Sequence, residues 1–249
     1  EPSGRAASAA WLRQLFIDVV GNLTPRLVLE LGAAEASFSR RIRPLLPKAE
    51  VHAFEANPYV HAKYLREAAA AGVRYHNLAV GDRTGKVTFK VGRGRNGAPL
   101  SPTKTNNSVL TKSADVEYED VEVAMTTVDD FLLDHHVAER SCAMWIDVEG
   151  LAFEVLHGAS AALENTLAVM VEVEDRAFWE GQKLSGEVKA VLFEAGFVPV
   201  ARDFEYPGQY NVLFVARDSL NSHFLRQALE LAYARAPSEP SRSLERAAD

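Results

Sequence analysis

The chain has 249 residues, of which 47% are hydrophobic and 24% charged, values that are typical of a soluble protein with one large α/β domain or two small ones. Its net charge of −7 disfavours nucleic acid or an anionic membrane surface as the main partner. No apolar run approaches the ~20 residues that cross a bilayer, and the single Cys142 excludes an internal disulfide and a cysteine-based zinc site.

The first third of the chain alternates between helical patterns and short strand patterns. Apolar residues recur at helical spacing before the first strand, and prolines or glycine end the helices that follow. The predicted helices are residues 8–20, 36–43 and 58–71, and the predicted strands are residues 27–31, 50–55 and 73–78.

The middle of the chain contains two further predicted strands, residues 85–91 and 116–125, which are separated by a long polar segment. This segment, residues 92–113, consists mainly of glycine, proline, serine, threonine and asparagine. It is predicted to be a long loop, and loops of this length in compact domains are usually functional or disordered. Thr127 then resembles the N-cap of a helix.

In the last third, strands and helices alternate again, and a Tyr206-Pro207-Gly208 turn joins the final two strands into a hairpin. The predicted strands are residues 143–148, 167–172, 197–202 and 210–216, and the predicted helices are residues 151–163, 185–195 and 220–234. This order predicts a Rossmann-like, doubly wound α/β fold, whose mostly parallel seven-stranded sheet ends in an antiparallel C-terminal hairpin with a reversed edge strand.

The expected domain organisation has three parts. Residues 1–25 form a leader and an N-terminal helix, residues 26–218 form the main domain, and residues 219–249 form a C-terminal helix with a disordered tail. The chain begins with Glu1 rather than Met, so the sequence leaves undecided whether an upstream targeting or anchor segment exists. We expect a cytoplasmic protein.

The most informative motif is the end of the first strand, Glu30-Leu31-Gly32, because ligands of open α/β sheets bind at the carboxyl ends of strands. The next strand ends in Glu55, at the spacing of a carboxylate that holds a ribose diol. The first loop has only one glycine of the dinucleotide-binding pattern, and Glu30 would place negative charge near a pyrophosphate. A nucleoside cofactor with a cationic end, such as S-adenosylmethionine, therefore fits better than a dinucleotide.

A second motif, Asp147-Val148-Glu149, follows a later strand and places two carboxylates beside the expected cofactor site. Alternation along an extended strand end would put both on one side. One of them is expected to orient the acceptor or to act as a general base on a hydroxyl. Alternatively, carboxylates here hold a divalent cation such as Mg²⁺, with Asp147 and Glu172 as candidate ligands, or Glu149 caps the next helix.

Together these motifs resemble the FkbM family of S-adenosylmethionine-dependent methyltransferases, over roughly residues 27–215. The resemblance rests on blocks that occur in the family's order: Glu30-Leu31-Gly32-Ala33, Ala53-Phe54-Glu55-Ala56-Asn57-Pro58, Ala79-Val80-Gly81-Asp82, Asn107-Ser108-Val109, Thr127-Val128-Asp129-Asp130, Ile146-Asp147-Val148-Glu149-Gly150, Val155-Leu156-His157-Gly158-Ala159 and Val171-Glu172. It implies a class I methyltransferase fold and methyl transfer to a hydroxyl oxygen of a sugar, glycan or polyketide-type product.

The resemblance also implies roles for individual residues. The implied cofactor contacts are Glu30, Gly32 and Ala33 at the methionine part, Glu55, Ala56 and Asn57 at the ribose, and Ala79 at the adenine. Asp147 and Glu149 are expected to face the transferred methyl group, with Asp147 as the first candidate for the base and Glu172 as the second. The chain departs from the family at Ala34 and Ala36, where a second loop glycine is usual, and at Trp145 and Ala152, where charged residues are frequent.

Two other readings remain open from the sequence. One is a nicotinamide-dependent oxidoreductase, which the single loop glycine and Glu30 disfavour. The other is a non-catalytic binding or interaction module of the same fold. The acceptor is expected to be a small molecule or a glycan with a free hydroxyl group, and homo-oligomerisation stays open.

Overall fold

A computed structural model of the chain describes residues 4–103, 107–112, 116–135 and 141–237. Most of the tail predicted to be disordered, residues 238–249, lies outside the described residues. The helices are α1 (Gly4–Leu23), α2 (Ser37–Ile42), α3 (Pro58–Ala70), α4 (Val128–Asp134), α5 (Ala152–His157), α6 (Ser160–Leu163), α7 (Ser185–Glu194) and α8 (His223–Tyr233). The strands are β1 (Leu27–Leu31), β2 (Glu50–Phe54), β3 (Arg74–His76), β4 (Ala79–Val80), β5 (Gly85–Arg95), β6 (Ala98–Pro99), β7 (Val116–Thr126), β8 (Cys142–Ile146), β9 (Thr166–Glu174), β10 (Phe197–Arg202) and β11 (Gln209–Ala216). No described helix is both long and apolar enough to cross a membrane.

The central sheet has seven strands in the order β10-β11-β9-β8-β1-β2-β3. Strands β9, β8, β1, β2 and β3 pair in parallel, whereas β11 is antiparallel to both of its neighbours. The predicted doubly wound, mostly parallel seven-stranded sheet with a C-terminal hairpin is therefore confirmed.

The position of the reversed strand differs from the prediction, which put it at the edge. The reversed strand is β11, which lies between β9 and β10, and β10 forms the edge. The apolar run Val212–Val215 of β11 is buried, as expected for an interior strand. In β10, by contrast, Pro199 lacks an N–H to donate and the register shifts between Pro199 and Ala201, features that suit an edge strand.

A second sheet has four strands in the order β4-β7-β5-β6, and its first strand follows β3 in the chain. Its strand β5 continues to Arg95 and turns at Asn96-Gly97, both with positive φ, into β6. The prediction that a loop begins at Gly92 was therefore wrong. Gly92 and Gly94 look like loop residues in the sequence, but they flank a bulge in the pairing of β5 with β7.

The helix predicted at residues 151–163 is two helices, α5 and α6, separated at Gly158. A side chain at Gly158 would place its Cβ 2.1 Å from the Gly81 carbonyl oxygen, so only glycine allows this approach to the turn after β4. Asp129 then accepts the backbone N–H groups of Ala161 and Ala162 at 2.9 and 2.8 Å, and so caps α6.

Apolar cores cover both faces of the central sheet. On one face, Ile146 and Val171 pack with residues of α4 to α7. On the other, Met170 and Leu213 pack with α1, α2 and α8, and α1 is joined to α8 by a hydrogen bond from Trp11 Nε1 to the Ala232 carbonyl at 3.1 Å. The carboxyl ends of β1, β2 and β8 stay open between these layers. The three-part domain division stays a prediction.

Candidate functional site

A cleft lies at the carboxyl ends of β1, β2 and β8, and its space is about 730 Å³ with the open mouth included. The cleft brings together most of the residues predicted from the sequence, which are Gly32, Glu55, Ala56, Asn57, Ala79, Asp147 and Glu149. The predicted residues Glu30, Ala33 and Glu172 do not line it.

The turn after β1 depends on Gly32, which has a φ of +80°. A Cβ at this position would lie 1.8 Å from the backbone oxygen of Asp147, so the turn can pass this close to the end of β8 only with glycine. Ala34 and Ala36 also have positive φ, of 43° and 55°. The backbone thus keeps conformations that favour glycine, although alanine occupies both positions, at a cost of about 1 kcal/mol each.

The Glu55 carboxylate is fixed by the backbone on both sides. Its two oxygens accept the N–H groups of Ala34 and Asn57, each at 2.8 Å. Burial raises the pKa of Glu55 to about 7, although these two hydrogen bonds oppose the rise. Each carboxylate oxygen keeps a further lone pair, so Glu55 can still accept hydrogen bonds from a ligand in the cleft.

Two of the predicted cofactor residues next to Glu55 have roles in the fold. Asn57 is the N-cap of α3, and its side-chain oxygen accepts the Tyr59 N–H at 3.0 Å. Its amide nitrogen donates to the Pro102 carbonyl at 2.8 Å, which ties the cleft to the segment after β6. Ala33 is buried in the core, and its N–H donates to the Phe54 carbonyl at 2.8 Å.

Glu30 faces α2 rather than the cleft. Its carboxylate accepts the N–H groups of Phe38 at 3.3 Å and of Ser39 at 2.7 Å. The N-cap residue of α2 is Ala36, which has no side-chain acceptor. Glu30, on β1, therefore accepts the free N–H groups at the start of α2 in its place. Burial raises the pKa of Glu30 to about 7, and the hydrogen bonds from α2 oppose the rise.

Asp147 and Glu172 form a carboxyl pair at the ends of β8 and β9. Burial raises the pKa of Asp147 to about 6, and a hydrogen bond with the Glu172 side chain opposes this rise. Burial and the charge of Asp147 raise the pKa of Glu172 well above its usual range. Both carboxyl groups of the pair therefore hold a proton more readily than isolated carboxyl groups do.

The structure provides no set of ligands for the predicted Mg²⁺. Within the described ranges, no three His, Cys, Asp or Glu side chains are arranged to hold a metal ion. Asp147 and Glu172, the two predicted ligands, are instead joined by a hydrogen bond.

Glu149 is the most unusual of the predicted residues. Its φ is +51°, outside the range that non-glycine residues prefer, and its Oε2 atom is buried without a partner among the described residues. Burial, followed by the charge of Asp147, raises the pKa of Glu149 to about 8. The alternative that Glu149 caps the next helix is wrong, because α5 has Leu151 at its N-cap and no side-chain cap.

Several residues that line the cleft were not among the predicted site residues. Phe89 comes from β5, and Asn107 and Val109 come from the segment of residues 107–112, which we call the strap. The strap is held by the Ser108 side chain, whose hydroxyl donates to the Glu149 carbonyl at 2.7 Å. The motif Asn107-Ser108-Val109 was part of the family resemblance, but nothing in its composition showed that it reaches the cleft.

Comparisons with known proteins place the chain among methyltransferases. The model of the methyltransferase FkbM domain matches residues 20–199. The 2-O-methyltransferase NoeI of Sinorhizobium fredii is 26% identical over 162 residues, which are 63% of this chain and 66% of that relative. This chain thus matches slightly less than two thirds of that relative's length.

The similarity to solved structures is weaker. Methyltransferase FkbM from Methylobacillus flagellatus has a TM-score of 0.48 and 12% identity, with 77% of this chain and 44% of that chain covered. The N-methyltransferase NodS from Bradyrhizobium japonicum, in complex with S-adenosyl-L-homocysteine, has a TM-score of 0.44 and 8% identity, with 82% and 84% covered. The family match spans most of the chain. The chain therefore belongs to the methyltransferase FkbM family and has its class I methyltransferase fold.

Proposed function

We propose that this chain is an S-adenosylmethionine-dependent methyltransferase that methylates a hydroxyl oxygen of a sugar, glycan or polyketide-type product. The observation that carries the proposal is the cleft, where the Gly32 turn, the Glu55 carboxylate and the Asp147–Glu149 strand end meet. Family membership supports methyl transfer, and the name of the relative NoeI, a 2-O-methyltransferase, supports an oxygen acceptor.

The residues of the cleft fit the chemical parts of this cofactor. Glu55 keeps lone pairs for the ribose hydroxyls, and the apolar side chains of Leu78 and Phe89 offer walls for the adenine. Asp147 places negative charge where a cationic group would lie, and a cation there would lower the raised pKa of Glu149. When bound, the cofactor supplies a methyl group on a positively charged sulfur atom.

Asp147 is the proposed general base for the acceptor hydroxyl. A base works best with a pKa near the pH of reaction, and the pKa of Asp147 is about 6. The hydrogen bond with Glu172 holds the Asp147 side chain in place and opposes the rise of its pKa. Glu149, with a pKa of about 8, is mainly protonated at neutral pH and is able to donate a hydrogen bond.

The strap, residues 107–112, is proposed to keep water from the reacting groups. It is fixed at its start by two hydrogen bonds: the Asn107 side-chain oxygen accepts the Gly92 N–H at 2.7 Å, and the Ser108 hydroxyl donates to the Glu149 carbonyl. Exclusion of water and alignment of acceptor and donor are the main contributions that a protein makes to a displacement of this type.

The proposal is tested by methyl transfer from S-adenosylmethionine with a deuterated methyl group to a panel of hydroxylated acceptors. Product mass and NMR assignment identify the methylated atom. We expect an O-methyl product with the wild type and a loss of at least about 100-fold in kcat for Asp147→Asn, whereas Asp134→Asn, a change outside the cleft, keeps the activity. Methylation of nitrogen or carbon, or full activity of Asp147→Asn, would contradict it.

A further inference from the structure

A second polar region lies beside Glu149, outside the walls of the cofactor cleft. It consists of Lys112 at the end of the strap, Glu174 at the end of β9, and Trp179 and Gln182 in the segment before α7. Trp179 and Glu174 are each 2% exposed and Gln182 is 8% exposed, so this is an interior region. We call these four residues the Trp179 cluster.

The backbone around the Trp179 cluster is well fixed. Lys112 and Trp179 form an antiparallel bridge, and the Glu180 N–H donates to the Thr111 carbonyl at 2.8 Å. The side-chain oxygen of Gln182 accepts the N–H groups of Phe178 and Trp179 at 2.9 and 3.2 Å. The side-chain positions are therefore set before any ligand binds.

Two buried polar atoms in this region have no hydrogen-bond partner among the described residues. They are Glu149 Oε2 and Trp179 Nε1, whereas the Gln182 side chain is hydrogen-bonded to Glu174. Such an atom destabilises the fold when it stays unpaired, and buried polar groups in native proteins are nearly always paired with protein, water or ligand. The concentration of unpaired atoms beside one end of the cleft points to a ligand that pairs with them.

The unpaired atoms lie close to one another around the Glu149–Gly150 turn. A Cβ at Gly150 would lie 2.7 Å from Trp179 Cδ1, the carbon bonded to Nε1, so the polar edge of the indole is beside this turn. Lys112 Nζ lies 4.8 Å from the centroid of the Trp179 ring. The positive charge of Lys112 lowers the pKa values of both Glu149 and Glu174, and the Gln182 side chain is hydrogen-bonded to Glu174.

We propose that the Trp179 cluster is the acceptor-binding subsite and that it binds adjacent hydroxyl groups of a neutral, polyhydroxylated acceptor next to Glu149. This inference rests on the proposed function. The indole and amide N–H groups and the Lys112 ammonium donate hydrogen bonds, and the carboxylates accept them. A vicinal diol both donates and accepts, so it can pair with the whole set. An acidic acceptor is disfavoured, because the charge of Asp147 would repel it.

The experiment measures cofactor and acceptor binding separately. S-adenosylhomocysteine binding is followed by calorimetry. Tryptophan fluorescence is then followed while methyl α-D-glucopyranoside, methyl α-D-mannopyranoside or the methyl glycoside of glucuronic acid is added to the S-adenosylhomocysteine complex. We expect saturable quenching with at least one neutral glycoside and none with the glucuronide. Trp179→Phe should lose this response, whereas the matched control Trp11→Phe should keep it.

Kinetics with any methylated neutral glycoside provide a second measurement. Trp179→Phe removes the Nε1–H donor and keeps an aromatic ring, and we expect a roughly tenfold rise in KM with kcat changed little. Gln182→Leu should act in the same direction, with S-adenosylhomocysteine affinity unchanged in both variants.

Any one of three results would overturn the proposal. The first is binding of S-adenosylhomocysteine with no fluorescence response to any neutral glycoside. The second is a preference for the glucuronide, and the third is unchanged KM values in both variants. If S-adenosylhomocysteine itself does not bind, the proposed function fails first, and the two failures are thereby distinguished.

Discussion

Replacement of Glu30 with glutamine is expected to stabilise the protein at alkaline pH and to have little effect at acidic pH. The folded protein raises the pKa of this buried carboxyl group from 4.5 to about 7. A group whose pKa rises on folding stabilises the fold while it is protonated. That contribution is fully present below pH 4.5 and is lost as the pH rises through about 7.

The size of the effect follows from the two pKa values. At about 1.4 kcal/mol per pKa unit, the difference between 4.5 and about 7 corresponds to roughly 3 kcal/mol of unfolding free energy. Glutamine resembles the protonated carboxyl group, because its one oxygen keeps the shorter bond to the Ser39 N–H and its other polar atom is a donor. The variant therefore keeps at pH 8.5 the stability that the wild type loses.

The assay is urea-induced unfolding of the wild type and the variant, without ligand, at several pH values between 5 and 8.5. Glu67→Gln on the exposed side of α3 is the matched control, because its carboxylate forms only a surface ion pair with Arg40. We expect the Glu30→Gln and wild-type curves to diverge as the pH rises, and the control difference to stay flat. A Glu30→Gln difference that is independent of pH would refute this account of Glu30.

Three further predictions concern the cleft. Gly32→Ala should abolish binding of S-adenosylhomocysteine in calorimetry and lower Tm, because its Cβ would collide with the Asp147 backbone oxygen; binding with wild-type affinity would contradict this. Ala34→Gly, a change two residues away, should keep binding and gain up to about 1 kcal/mol in urea unfolding, because its φ of 43° favours glycine; a clear loss of stability would refute it. S-adenosylmethionine binding at pH 7 should release protons, because a cation and ribose hydroxyls lower the raised pKa values of Glu55 and Glu149. Calorimetry in buffers of different ionisation enthalpy measures the number of protons released. Proton uptake on binding would contradict this prediction.

The strand ends of the central sheet could be predicted from the sequence, because they follow local rules. Gly32 and Glu55 each end an apolar run, and the carboxyl ends of neighbouring parallel strands meet at one edge of the sheet. Both residues line the cleft for this reason. Asp147 and Glu149 follow the same rule one strand away.

The remaining features depend on contacts between distant segments. Glu30 caps α2 because Ala36 has no side-chain acceptor, and a strand-end acid gives no sign of whether it faces a helix or a cleft. The glycines of β5 hid a strand within an apparent loop, since pairing with β7 is a long-range property. Trp179 reaches the Glu149–Gly150 turn from 29 residues further along the chain, which no local pattern indicates.

The central claim is that Glu55 and its neighbours bind S-adenosylmethionine. The most direct test is calorimetric titration of three proteins: the wild type, Glu55→Gln and the surface control Glu67→Gln. Each protein is titrated separately with S-adenosylhomocysteine and with NAD. We predict saturable S-adenosylhomocysteine binding by the wild type and the control, affinity at least about tenfold weaker in Glu55→Gln, and no comparable binding of NAD. No binding of S-adenosylhomocysteine by the wild type, equal affinity in Glu55→Gln, or tighter binding of NAD would contradict the account.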